Sequence, residues 1–398
     1  MNRFLAAAMA TIILAASCTE QSPDRFLAPE LGAPVVNRDE FKADVRCGLS
    51  NSPEGFTYGF ILRRRSDGSL QEFSSLPSDG MLRTTVKGLA PEEQYGIRAF
   101  ASNGRHKVLS EETLFSTEST GPVAVMPDPA FRSLILKRYD RNGDGQISIA
   151  EAGNVASLEL STENISSLEG IGFFLNLTHL DISGPGEDDD TRRGKLTSLD
   201  LRQNLHLQYV NVYGNNLKEL LLPEKNSCLE VLQCSFNNIA SLDLSGCTQL
   251  KLLYCWRNDL TSLDLSSNPY LEDLRCFQNN LSGGLDLSAN KKLKILSCED
   301  DRLNSLDVSG NPLLTEISCF SNHISELDLA SNSRLEILRA GNLPDIEILD
   351  LSASPYVTSV QIAGDRNLRT VYVHKDVDIN SLSIESDSSV HAVIEHKP

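Results

Sequence analysis

Leu260-Thr-Ser-Leu-Asp-Leu-Ser-Ser-Asn-Pro-Tyr-Leu-Glu-Asp-Leu-Arg-Cys-Phe-Gln-Asn-Asn280 can be laid over the stretches on either side of it with a shift of 21 or 22 residues, and this period runs from Leu196 to Asn367. A unit of that length with Leu-x-x-Leu-x-(Leu/Cys)-x-x-Asn cannot bury its apolar side alone, so it must stack on copies of itself. The repeated part is therefore a solenoid. Each unit holds two extended stretches, Leu-x-x-Leu-x-Cys and Ser-Leu-Asp-Leu-Ser, and in each every second residue points inward. The expectation is a flattened coil with a parallel strand on both sides. The predicted fold class is mainly β.

Of nine cysteines, Cys234, Cys255, Cys276, Cys298 and Cys319 recur at the period in the inward position of that pattern. They are expected to form a buried ladder. Each sits one strand spacing from the next rather than at a tetrahedral convergence, which favours packing as small hydrophobes over metal binding. Cys228 and Cys247 fall in adjacent units, and the sequence leaves their pairing open. Three residues after the ladder position stand Asn215, Asn237, Asn258, Asn279 and Asn322, with Asp301 once in the same place, to turn the chain by bonding its backbone.

Two outward rows carry the functional question. Asp200, Asp243, Asp264, Asp286, Asp307, Asp328 and Asp350 line up on the Ser-Leu-Asp-Leu-Ser side, about 4.8 Å apart per layer. Hydrogen bonding to their own turns is the preferred reading over a cation strip. On the other side Tyr209, Tyr213, Tyr254, Trp256, Phe277 and Phe320 flank the ladder, with Arg275, Glu299, Glu316 and Arg339 as a charged rim, in a chain with only 6% aromatics. Exposed rings on a regular sheet suit contacts with a protein or stacking on sugars. Rings covering each other is the structural alternative.

The 398 residues exceed one compact core and imply two or three units. A formal charge of −18 with scattered Lys and Arg argues against a nucleic-acid partner. Residues 1–17 read as a signal peptide: Asn2-Arg3, an apolar run from Phe4 to Ala16, then a small-residue cleavage site, too short to span a bilayer. Ala-Ala-Ser before Cys18 resembles a bacterial lipobox, with Ala15 where that motif usually has Leu. The resemblance implies Cys18 as a lipid anchor, a linker over 18–33, and a place at the bacterial outer membrane or cell surface. Plain secretion is the alternative, and both export the protein.

Alternating apolar residues and turns such as Ser66-Asp-Gly68 and Ser102-Asn-Gly104 predict an antiparallel β-sandwich over 34–120. Gly88-Leu-Ala-Pro-Glu-Glu-Gln-Tyr95 resembles the corner of immunoglobulin-like, fibronectin type III-like domains, which implies a spacer. In 121–154, Asp128-Pro129 opens a helix with Phe131, Leu134 and Ile135 on one face. It leads into Asp140-Arg-Asn142-Gly-Asp144-Gly145-Gln146-Ile147-Ser148-Ile-Ala-Glu151. This resembles the EF-hand loop, with oxygen ligands at positions 1, 3, 5, 9 and 12, the carbonyl of Gln146 at 7, and Gly at 6 for the sharp turn. It implies calcium as the cofactor, and a single loop before the repeats implies a structural ion rather than a sensor.

Residues 155–182, including Ile165-Ser-Ser-Leu168-Glu-Gly170-Ile171, lead into the array over 155–367. From about 126 to 367 the chain resembles internalin-like leucine-rich repeat proteins of the cysteine-ladder type. That resemblance implies a surface binding protein and leaves the ligand open. Residues 368–398 read as a C-terminal cap. An acidic insertion, Gly184 to Gly194, reads as a solvated loop beside one face. No nucleophile elbow, phosphate loop or metalloprotease motif is present, and the seven histidines stand apart, so the reading is non-enzymatic. The expected partner is a cell-surface protein as for an adhesin, with polysaccharide capture or an envelope structural role as alternatives.

Overall fold

A computed structural model describes residues 28–39, 42–90, 93–117, 123–184, 193–224 and 228–397. The expected signal peptide over residues 1–17, Cys18 and the acidic run 185–192 lie outside the described residues. The chain divides into two compact units, Met1–Thr117 and Glu118–Pro398.

The first unit is built of two antiparallel sheets. One pairs Lys42–Ser50 with Glu30–Leu31, Val35–Asp39 and Met81–Lys87; the other pairs Thr57–Arg64 with Leu70–Ser74 and Gln94–Ser102, the latter also bonding Lys107–Leu109 and Thr113–Ser116. Lys42–Ser50 alternates exposed and buried without a break, the signature of a strand with one wet face. Its inward residues Ala43, Val45, Cys47 and Leu49 join Phe60, Leu62, Leu82 and Ile97 in one core. The Tyr95 hydroxyl accepts from the Ala90 amide at 3.0 Å, which pins the corner five residues upstream.

The second unit is the solenoid. Eleven three-residue strands, from Ser157–Glu159 to Ser383–Glu385, stack in parallel with each middle residue paired to the next layer's. Leu158, Leu180, Val210, Leu232, Leu253, Leu274, Leu296, Ile317, Leu338 and Val360 form the buried row. The five ladder cysteines lie directly beside it, all fully buried. Burial pushes the Cys234 and Cys319 thiols up to about 12 and the three between them well above the ordinary range. They behave as small hydrophobes.

A strand on the second side of every layer is not observed. Among the described residues, parallel pairs form there only between Ser198–Asp200 and Glu219–Leu221 and among Ile348–Leu351, Thr370–Val373 and Val393–His396. In the middle layers a second buried asparagine column, absent from the sequence reading, joins the turns instead. Asn268, Asn290, Asn311 and Asn332 each donate Nδ2 to a carbonyl near the preceding layer's Leu-x-Leu segment, at 3.1–3.2 Å, and to the neighbouring column residue at 2.9–3.0 Å. Side-chain amides have replaced the strand ladder there. Cys247 is buried in this column's register, while Cys228 is exposed.

Candidate functional sites

The acidic row is locally bonded. Asp243, Asp264, Asp286 and Asp307 each accept, through Oδ1, the amide two residues on at 2.9 Å, and these bonds with the following serine hydroxyls hold their carboxyls below the usual range. Asp200, Asp328 and Asp350 accept the amides of Arg202, Ala330 and Ser352 through Oδ1 at 2.9–3.0 Å. No cation is needed to hold this row.

The outward side of the eleven-stranded sheet is different. Around each buried strand centre three rows face out, illustrated by Leu252, Tyr254 and Trp256 about the buried Leu253 and Cys255. Trp256 lies flat on Phe277, with centroids 5.1 Å apart and planes 5° apart. Tyr213 reaches Trp256 at 5.6 Å across an intervening layer whose residue in that row is the small Ser235. Phe236 closes the group, 5.9 Å from Tyr213, with the Arg193 and Arg257 guanidinium groups 3.9 and 4.9 Å from its centroid. Each aromatic pair contributes about 0.5–1.5 kcal/mol beyond area burial, so the cluster is rigid before any partner arrives. Its rings cover one another in part, yet Tyr213, Trp256 and Phe277 all stay half-exposed.

Phe236 escaped the sequence reading. It occupies a left-handed turn position (φ 58°), shared layer by layer with Gly214 and Arg257, where an aromatic residue is uncommon; that mismatch was the available signal. The other ring residues fall elsewhere. Tyr209 stacks on His179 at 4.3 Å, in a different row. Tyr254 donates its hydroxyl to Asp273 at 2.7 Å beneath Arg275, which bonds Asp273 at 3.1 Å. Arg339 is paired with Glu316. Phe320 lies two layers beyond Phe277, with Glu299 between them. Gly184 and Gly194, the ends of the acidic insertion, bond the carbonyls of Tyr213 and Gly214 at 2.7 and 2.8 Å, which places its base beside the cluster.

The 140–151 loop is held by its own side chains. Asp140 accepts the amides of Gly143, Asp144 and Gly145 at 2.7–3.2 Å, Asn142 Oδ1 that of Asp144 at 3.0 Å, and Asp144 Oδ1 that of Gln146 at 2.8 Å. Gly145 has φ +82°, as the sharp turn requires. Buried Glu151 reaches back to the amides of Arg141 and Ser148 at 2.9 and 3.0 Å, forming a capping box on the helix Ile149–Gly153. Among the described residues no three His, Cys, Asp or Glu side chains converge as a metal-holding group. The donor set is all oxygen, which suits a hard cation and no soft one. The loop's extended edge is occupied by this chain itself: Ala124 donates to the Ile147 carbonyl at 2.7 Å and Val123 bridges Ser148.

These features define a class of protein, a leucine-rich repeat solenoid with a cysteine ladder and a bare outward sheet. Among solved structures, the chain is similar to the functional domain of InlJ from Listeria monocytogenes, described as including a cysteine ladder, at 23% identity over 66% of this chain and 60% of that one, with a TM-score of 0.44. It is also similar to the internalin InlF of Listeria monocytogenes, at 16% identity over 70% of this chain and 98% of that one, with a TM-score of 0.32. The chain thus spans 60% of the length of the InlJ domain it matches. No protein-family model and no curated protein matches it.

Proposed function

We propose that this is a non-enzymatic cell-surface binding protein whose outward sheet captures another protein, exported and held by a lipid on Cys18. The observation that carries the reading is the pre-stacked group Tyr213, Phe236, Trp256 and Phe277 on an otherwise regular face. Rigid aromatic anchors lose little conformational entropy on binding and dominate interface energetics. The rest of the sheet supplies a flat, evenly spaced rim in which Arg275 and Arg339 are already paired.

The same reading gives the 140–151 loop a structural calcium ion, ligated by Asp140, Asn142, Asp144, Gln146, Ser148 and Glu151, which would stiffen the first turn of the solenoid. The all-oxygen donor set and the positive φ of Gly145 support it. A single hand is self-sufficient because residues 123 and 124 cover the edge on which a second would pair.

The test is a host-protein panel run beside a glycan array with the purified protein and Trp256→Ala and Phe277→Ala variants. Protein capture lost in both variants supports the reading. Glycan capture lost in them makes the strip a polysaccharide site instead. Silence on both arrays, with self-association of the protein, assigns the repeats to assembly.

A further inference from the structure

The outward side of one sheet of the first unit carries charge that its own chain leaves uncompensated. In the antiparallel pair of Lys42–Ser50 with Met81–Lys87, exposed residues meet as Lys42 opposite Lys87, Asp44 opposite Thr85 and Arg46 opposite Arg83. Like charges directly opposite each other destabilise a sheet, since their Cβ atoms stand about 4.5–5.5 Å apart. The chain has acidic side chains in excess, at net −18, yet among the described residues neither the Arg46 nor the Arg83 guanidinium has an ion-pair or hydrogen-bond partner. In the same unit Arg64, Arg65, Arg98 and Lys107 each have a carboxylate at 2.6–3.9 Å. Arg63 is also unpaired, but it stands singly, opposite Gly96.

The two arginines line an open groove of about 680 Å³ together with Val35, Asn37, Asp44 and Thr85, a size that suits a small ligand. Register sorts these six residues into two rungs. Val35, Arg46 and Arg83 lie across one, and Asn37, Asp44 and Thr85 across the next, roughly 7 Å along the strands. Val35 is 53% exposed and gives the first rung an apolar wall. In the second rung the Thr85 hydroxyl donates to Asp44 Oδ1 at 2.6 Å, which leaves Asp44 Oδ2 as an acceptor. The groove thus has two fork-shaped donors at one end and a carboxylate oxygen at the other.

We propose that this groove binds a phosphate monoester carried on a hydroxylated body, the chemistry of a sugar phosphate. The phosphate would sit between Arg46 and Arg83, each guanidinium donating to its oxygens, and a hydroxyl of the body would donate to Asp44 Oδ2. Charge selects the anionic group. Two uncompensated cations match the nearly two negative charges of a phosphate monoester at pH 7, whereas a carboxylate or a sulfate ester brings only one. Asp44 repels a second anionic group one rung along, so the rest of the ligand should bear hydroxyls. Lys42 and Lys87 on the rung beyond keep the strip positive and favour the approach of an anion. This site lies on the first unit, so it stands or falls independently of the protein-binding face of the repeats.

The experiment is isothermal titration calorimetry of the whole protein at low salt with glucose-6-phosphate, glucose, glucose-6-sulfate and inorganic phosphate. The expected result is saturable binding of glucose-6-phosphate and none of glucose. Binding should be about tenfold weaker or more for glucose-6-sulfate and in Arg46→Gln or Arg83→Gln, as the loss of one charge-assisted bond implies, and unchanged in Arg63→Gln. Both groove variants should melt no lower than the parent, because each removes a like-charge contact, so lost binding is not lost fold. Absence of glucose-6-phosphate binding, equal affinity for glucose-6-sulfate, or an equal loss in Arg63→Gln overturns the site. Inorganic phosphate binding as tightly as glucose-6-phosphate overturns the part given to Asp44. Sedimentation with phosphatidic acid vesicles but not with phosphatidylcholine alone, without sugar-phosphate binding, puts the phosphate on a lipid and overturns the hydroxylated body.

Discussion

Replacing Asp301 with Asn should convert a pH-dependent weak point of the solenoid into one more regular layer. In neighbouring layers the buried asparagine spans two turns: Asn258 Nδ2 donates to Cys234 and Cys255 carbonyls at 3.0 Å, and Asn322 Nδ2 to Cys298 and Cys319 carbonyls at 2.8 Å. By register, the corresponding carbonyls at layer 301 are those of Cys276 and Cys298. A carboxylate in that place has no amide hydrogens to give them. Fully buried Asp301 accepts the Asn279 amide through Oδ1 at 2.7 Å, with Oδ2 3.8 Å from the Cys276 thiol. Desolvation, reinforced by Glu299 and Asp300, pushes its carboxyl up to about 7 from 3.8, against the bonds from Asn279 and Cys276.

Because the folded value is raised, the stabilising contribution of the protonated form is complete below about pH 3.8. It is lost as pH rises toward and through 7. Each pH unit in that window is worth about 1.4 kcal/mol, so the full loss has a ceiling near 4 kcal/mol, and relaxation around the ion brings the expected figure to about 2. Asp301→Asn should therefore match the parent near pH 4 and exceed it by about 2 kcal/mol at pH 8.5, roughly 4–8 °C in melting midpoint for a unit of this size. Circular dichroism melts at the two pH values measure the difference between differences, which removes any pH-independent effect of the substitution. An equal shift at both pH values, or a less stable variant at pH 8.5, would refute the reasoning.

Asp365 accepts the Leu343 amide at 2.6 Å and is likewise pushed to about 7 by burial, so Asp365→Asn should show the same pH signature and add to Asp301→Asn, three layers away, within about 0.5 kcal/mol. Asp128 caps the helix Pro129–Tyr139 through Oδ1 and holds Ser166 and Ser167 through Oδ2 at 2.7–3.1 Å, bonds that outweigh burial and hold its carboxyl at about 2. Its contribution is present above pH 3.8 and lost as pH falls through about 2; Asp128→Asn should cost about 1–3 kcal/mol at pH 7 by denaturant melts and close to nothing at pH 1.5. For the calcium reading, Asp140→Ala should abolish a calcium-dependent rise in melting midpoint that chelator reverses in the parent, and a parent melt indifferent to chelator would sink the structural ion. The five ladder thiols should resist a thiol reagent at pH 8 in the folded protein and react on unfolding; labelling of any of them without unfolding contradicts the buried ladder.

The stacking direction, the cysteine ladder and the inward leucines were legible because one inward position recurs every 21 or 22 residues, and burial demands the same residue type each time. What stayed hidden depended on which backbone group a polar side chain chooses. Ser-Leu-Asp-Leu-Ser has the alternation of a strand, but Asn268, Asn290, Asn311 and Asn332 join the turns at that edge, so no strand ladder forms in those middle layers. Asp365 was missed as a second substitute in the first asparagine column because Leu343 interrupts the column one layer earlier and the period fades around it. Glu299 read as rim because carboxylates usually seek water; its burial follows from Phe277 and Phe320 on the adjacent layers, a relation that exists only once the repeats are stacked. The residues hardest to read are thus those whose environment comes from the next turn of the coil. In a solenoid every outward residue has two such neighbours set by register, so Glu299 is buried between a phenylalanine 22 positions before it and another 21 after it.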